Sequence, residues 1–164
     1  DEPTLSTSRM VYAPSGYDEI VHAFDASGLG PADRFLDLGA GLGKVVMLAA
    51  LLTGAKSSGV ERDGVLCELA EAARRELGLG GVQLRRGDAR EVDSASADVI
   101  FMYLPFSGEV LASVMKRLLA DARGSAARKR RRFLCTGALD PARYPQLLTA
   151  GPSKSWLNVY AFGA

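Results

Sequence analysis

The chain has 164 residues, 48% of them hydrophobic and 24% charged, values that suit one soluble globular domain with a full core. Twenty basic residues against nineteen acidic ones leave a formal charge of +1, which excludes a global field drawing the protein to nucleic acid or membranes. No apolar run approaches the roughly 20 residues of a membrane span, and the polar, acidic start "DEPTLSTSRM" is unlike a secretion signal.

Residues 1–16 carry Pro3, Pro14, Gly16 and several hydroxyl residues, and read as an irregular arm ahead of a single domain over 17–164. The chain starts without a methionine, which leaves flanking sequence open. From Tyr17, "YDEIVHAFDASGL" places Tyr17, Ile20, Val21 and Phe24 at helical spacing, with Ser15 as the expected cap and Asp18 and Glu19 in the first turn. His22 falls off that apolar stripe and is expected at the surface. "RFLDL" reads as a short strand running into a glycine turn, then "KVVMLAALLTG" as an apolar helix closed by Gly54. "SSGVE" is a second strand, "GVLCELAEAARREL" a helix ended by Gly78, and "VQLRRGD" a third strand. "ADVIFMYLPF" is a fully apolar fourth strand with a Tyr-Leu-Pro-Phe corner, "GEVLASVMKRLLADA" a helix, and "RRFLCTGAL" a fifth strand. Extended stretches around "QLLTA" and "WLNVYAF" suit a closing hairpin. Helices alternating with buried strands predict a largely parallel sheet covered on both faces. Cys67 and Cys135 lie in apolar settings at no metal-ligand spacing, so they are expected as buried free thiols in a reducing, cytoplasmic protein with no metal site.

In an open parallel sheet, ligands bind beyond the carboxyl ends of the strands, and the turn after the first strand is the usual place. Gly39, Gly41 and Gly43 sit there, but their Gly-x-Gly-x-Gly spacing departs from the dinucleotide Gly-x-Gly-x-x-Gly. A phosphate loop fails as well, because Leu38 stands where its first glycine belongs and Val45 follows Lys44 where a Ser or Thr is required. Lys44 then reads as a solvent-facing helix residue. Asp37 decides between the remaining ligands: beside the glycines it would repel a pyrophosphate and attract a cation. S-adenosylmethionine, with a sulfonium, an ammonium and no phosphate, fits that chemistry. The plainer alternative is a packing turn whose Asp37 caps the following helix. Glu61 ends the second strand, where a carboxylate can accept hydrogen bonds from both ribose hydroxyls. After the third strand, Asp88 of "GDA" can accept the adenine amino proton while the Ala89 N–H meets a ring nitrogen. Ala40 within the turn and Arg62 after Glu61 complete the expected cofactor-contacting set.

Through "FLDLGAGLGK", "GVE", "RRGDA" and "DVIFMYLPF" the sequence resembles class I, seven-strand S-adenosylmethionine-dependent methyltransferases over nearly its whole length. The upstream "MVYAPSGYDEIVHAFDASGLGPADRFLDLGAGLGKVV" is similar to the non-SET histone lysine methyltransferases associated with disruption of telomeric silencing. The chain also resembles the small seven-strand lysine methyltransferases related to the mitochondrial enzymes that modify the ATP synthase c-subunit and the adenine nucleotide translocase. The resemblance implies a Rossmann-like α/β/α sandwich with a mostly parallel seven-strand sheet and a C-terminal antiparallel hairpin. It implies S-adenosylmethionine as methyl donor, S-adenosylhomocysteine as product and a protein lysine as acceptor. It also implies that Tyr12 and Ser15 belong to a loop over the methionine end of the cofactor. The chain departs from the histone enzymes at Met102, Tyr103 and Leu104, where they carry an asparagine-containing pattern, so histone specificity does not follow. A small molecule or RNA stays open as acceptor, as does a non-catalytic cofactor-binding module.

Tyr103, Leu104, Pro105 and Phe106 are placed to wall an apolar channel, which would favour the neutral form of a lysine amine. The Tyr103 hydroxyl is the candidate that orients the amine, and Tyr103 also counts among the cofactor-contacting residues, against the alternative of a packed aromatic at a strand end. "ARKRRR", Ala127 to Arg132, reads either as a solvated loop or as a patch for an acidic surface or RNA.

Overall fold

In the computed structural model, the described residues are 15–103, 106–124, 131–137, 139–151, 154 and 156–162. They form helix α1 (Tyr17–Ser27), strand β1 (Arg34–Leu38), α2 (Lys44–Thr53), β2 (Lys56–Glu61), α3 (Gly64–Glu76) and β3 (Gln83–Arg86). A 3₁₀ turn (Ala89–Glu91) leads to β4 (Val99–Tyr103), α4 (Gly108–Gly124) and β5 (Arg132–Thr136). A second 3₁₀ turn (Pro141–Arg143) precedes β6 (Leu147–Thr149) and β7 (Leu157–Phe162). The sheet has seven strands in the order β3-β2-β1-β4-β5-β7-β6, the first five parallel and β7 antiparallel to both of its neighbours. The expected parallel sheet with a C-terminal antiparallel hairpin is the fold observed.

Strand alternation divides the core. Phe35, Val99, Phe101, Leu134 and Val159 face α1 and α2, where Ile20, Phe24, Val45 and Ala49 meet them. Leu36, Leu38, Ile100, Met102 and Phe133 face the opposite layer, built by Val114, Met115 and Leu118 of α4. By the same alternation Asp37 and Tyr103 share the α1 face with Phe35 and Phe101. The chain reverses its winding direction between β1 and β4, so the crevice at their carboxyl ends is the topological switch point where ligands bind in such sheets.

Four local expectations need correction. Gly16, not Ser15, caps α1: its N–H donates to Glu19 Oε2 at 2.9 Å, and it is extended at φ −65° and ψ 152°. His22 is half-buried rather than at the surface, edge-on to Trp156 with ring centroids 5.5 Å apart, because β7 packs beneath α1. Strand β3 is not buried: as the sheet edge it leaves Gln83, Arg85 and Arg86 exposed. Of the two free thiols, Cys135 is buried but Cys67 only half so.

Candidate active site

Beyond Leu38 the chain turns through Gly39, Gly41 and Gly43 at φ of 85°, 55° and 74°, values side-chain-bearing residues rarely adopt. The Gly39 and Ala40 N–H groups both donate to the Val60 carbonyl, at 2.9 and 3.0 Å, and Gly43 N–H donates to Ala40 O at 2.8 Å. The turn is thereby fastened to the end of β2. It lies close because β2 carries Gly59, where a Cβ would stand 2.7 Å from Ala40 Cβ and 2.7 Å from Val46 Cγ2. Gly59 escaped the sequence reading; a glycine inside an otherwise strand-like run is the signal that marks such a close approach.

Asp37 is 2% exposed, and no hydrogen bond holds its carboxylate among the described residues. Burial first, and the charge of Glu61 second, push its pKa from 3.8 up to about 8. A buried carboxylate without a donor is costly, and a cation delivered to it would remove the cost. Glu61, half-buried at the end of β2, is held by two backbone donors: Gly41 N–H to Oε2 at 2.9 Å and Asp63 N–H to Oε1 at 2.8 Å. Each oxygen keeps lone-pair capacity for a ligand hydroxyl. The glycine turn, Asp37 and Glu61 therefore come together as one acidic corner at the carboxyl ends of β1 and β2.

At the far end of this corner, Asp88 caps the first 3₁₀ turn through the Arg90 N–H and is gripped by the Arg90 side chain, Nη2 to Oδ2 at 2.6 Å. Those hydrogen bonds hold its pKa down to about 2. Ala89 is buried beside it, and Arg62 is exposed immediately beyond Glu61.

The other end is formed by α1, α2 and β4. Asp37 pairs with Phe101, so Tyr103, two residues on, is level with Gly39. Tyr103 is half-buried, stacked on Phe101 at 6.5 Å, and its hydroxyl donates to Glu19 Oε2 at 3.3 Å. Burial and the Glu19 charge raise its pKa. Ser15 is 5% exposed, and its carbonyl accepts a hydrogen bond from Lys44 Nζ. Lys44 is thus not simply solvent-facing: from the first residue of α2 it holds the entering chain against the glycine turn. Tyr12, Leu104 and Pro105 lie outside the described residues.

The basic run is partly dismantled by the fold. Arg131 is 5% exposed; its Nε donates to Ala97 O at 2.9 Å, its Nη2 reaches Ser94, and its guanidinium lies 5.4 Å over the Phe162 ring. Arg132 bridges Asp33 at 2.9 Å and the Ser27 carbonyl. Ala127 to Arg130 lie outside the described residues.

Residues 5–79 match the family model "Histone methylation protein DOT1". A histone-lysine N-methyltransferase, H3 lysine-79 specific, from Chaetomium globosum is 36% identical over 95 residues, which cover 49% of this chain and 19% of that protein. Protein-L-isoaspartate O-methyltransferase 1 from Rhodopseudomonas palustris is 30% identical over 130 residues, 75% of this chain and 53% of that one. The chain thus spans about half the length of the latter relative and under a fifth of the former. Among solved structures, an RNA methyltransferase from Salinibacter ruber in complex with S-adenosyl-L-homocysteine superposes with a TM-score of 0.72 at 22% identity, covering 92% of both chains.

Proposed function

From the class I methyltransferase fold of this chain and its match to the DOT1 model, we propose that it transfers a methyl group from S-adenosylmethionine to a protein lysine. The observation that carries the reading is Asp37, a buried carboxyl group with no donor among the described residues, set against a turn of three positive-φ glycines. A phosphate ligand would find no counter-charge there and would keep Asp37 protonated, whereas a sulfonium and an ammonium would draw off its proton and pair with the carboxylate in a partly desolvated site.

When bound, S-adenosylmethionine supplies an electrophilic methyl group. The chain's own residues do the rest. Gly39, Ala40, Gly41 and Gly43 let backbone approach the ligand closely, Asp37 meets its cationic end, and Glu61 accepts from its ribose hydroxyls with Arg62 alongside. Asp88 and Ala89 receive the adenine, and Tyr12 and Ser15, in an arm over residues 1–16, cover the methionine end. Displacement at a sulfonium needs little besides alignment, so most of the rate can come from holding the acceptor in near-attack geometry. Tyr103 is the residue placed to do this, level with Gly39 and lined by Phe101.

Support for lysine comes from the DOT1 match over the arm, α1 and the glycine turn. A protein carboxyl acceptor is the second reading, favoured by the longer span of the isoaspartate O-methyltransferase alignment. The free thiols Cys67 and Cys135 suit a reducing, intracellular compartment. Among the described residues no helix is long and apolar enough to cross a membrane.

The test is incubation of cell lysate with tritiated S-adenosylmethionine and wild-type protein or Asp37→Ala, followed by mass spectrometry of labelled species. Label on protein lysines that disappears with the variant is the expected result. An unchanged pattern in Asp37→Ala would remove the reading.

A further inference from the structure

Among the described residues, the carboxylate of Glu19 is the acidic group that touches the Tyr103 hydroxyl, and nothing in the cofactor reading uses it. Its Oε2 accepts from two donors: the Gly16 N–H at 2.9 Å, in the chain entering the fold, and the Tyr103 O–H at 3.3 Å, at the end of β4. The second contact is long for an O–H···O bond, whose usual separation is about 2.7 to 2.8 Å. It orients the Tyr103 proton toward Glu19 and leaves the lone pairs of the phenol oxygen for another donor.

A protonated lysine carries three N–H donors. At this corner it finds two acceptors within one hydrogen bond of each other, the Tyr103 oxygen and the Glu19 carboxylate, and a negative charge in a half-buried setting. A carboxylate acceptor would find the reverse: an anion beside Glu19 is repelled, and Tyr103 has its one proton already committed. The two kinds of acceptor modified by the related enzymes, an amine and a carboxyl, are thus separated by the charge of this single side chain.

We propose that Glu19 is the specificity-determining residue of the acceptor site, admitting an amine as its ammonium in preference to a carboxylate and aligning it through Tyr103; one N–H proton then leaves to solvent, and the freed nitrogen lone pair forms the N–C bond as the S–C bond of the sulfonium breaks. The inference rests on the methyltransferase reading. The residue that would carry it lies in the first turn of α1, outside the glycine turn and the strand-end acids that hold the cofactor.

The discriminating variant is Glu19→Gln, which keeps an oxygen able to accept from Gly16 and Tyr103 but removes the charge. Wild type, Glu19→Gln and Tyr103→Phe are incubated with cell lysate and tritiated S-adenosylmethionine, and the protein label is divided into base-stable N-methyl and base-labile methyl ester. Calorimetry with S-adenosylhomocysteine reports the cofactor site of each variant. Base-stable label from wild type, lowered about tenfold in Glu19→Gln with the S-adenosylhomocysteine affinity kept within twofold, is the expected result. The loss should shrink as pH rises and the acceptor amine loses its charge. Base-labile label, or base-stable label that Glu19→Gln leaves unchanged, overturns the role of Glu19 while methyl transfer stands. No protein label from wild type overturns both.

Discussion

Asp37 sits in β1 where strand alternation would place an apolar side chain, between Leu36 and Leu38 and on the face of Phe35. Its raised pKa fixes a sign. In the unfolded chain it ionises near 3.8 and in the fold near 8, so the folded state binds the extra proton between those values. The associated stability is fully present below about pH 4 and is lost as pH rises through about 8. Asp37→Asn should therefore melt above wild type by a margin that widens across that window, up to a few kcal/mol, as followed by thermal denaturation in a pH series. The same variant should lose the cofactor. In wild type, a cation arriving at Asp37 displaces its proton, so calorimetry near pH 7 in buffers of different ionisation enthalpy should show proton release on binding S-adenosylmethionine. Buffer-independent heats would place the cationic end of the ligand elsewhere.

At the scale of elements, the turn and its neighbours hold together through contacts of very different sequence range, and that range decides what could be read in advance. Gly39, Gly41, Gly43 and Asp37 lie in one short stretch, and Glu61 closes the next strand, so their gathering at the strand ends was legible from spacing alone. Gly59 was not, because its reason for being glycine is the Ala40 and Val46 side chains that meet it across the β1–β2 crossover. Gly59→Ala is expected to cost about 1 to 3 kcal/mol by overpacking and to weaken S-adenosylhomocysteine binding by pushing the turn outward, measured by urea denaturation and calorimetry. Glu19 and Tyr103 are 84 positions apart in sequence, and nothing local announces their meeting. Arg131 misled for the same reason. A run of arginines reads as a solvated or polyanion-binding segment until the fold carries Arg131 under Phe162 and onto the carbonyls of Ala97 and Ser94. Arg131→Ala should destabilise by about 2 to 4 kcal/mol in urea, since it strands those acceptors in the core.

On the scale of the whole molecule, the seven-strand order gathers Asp37, Gly39, Glu61, Asp88 and Tyr103 at the carboxyl ends of neighbouring strands, with α1 and α2 closing one side and α4 the other. The alternation of apolar runs with helical periods was enough to foresee that architecture, down to the antiparallel pair at its end. A site shared among so many elements should make ligand binding and global stability strongly linked. At S-adenosylhomocysteine concentrations about 100 times its Kd, the gain is about 2.7 kcal/mol, which for a chain of this size raises Tm by roughly 5 to 10 °C. NAD at the same concentration should leave Tm in place, because its pyrophosphate gains no counter-charge from Asp37 or Glu61; a comparable rise with NAD would reverse the choice of ligand.

The position of β7 has a consequence for how the molecule is made. It lies not at the rim of the sheet but between β5 and β6, bonded on both sides. During synthesis, β5 and β6 therefore leave the ribosome as two strands that do not pair with each other, and the apolar edge of β5 stays open until residue 162 has been added. Unpaired strand edges are templates for association with other chains. The nascent sheet is at its most vulnerable until β7 has emerged, and the few residues from Leu157 to Phe162 convert a sticky intermediate into a closed sheet.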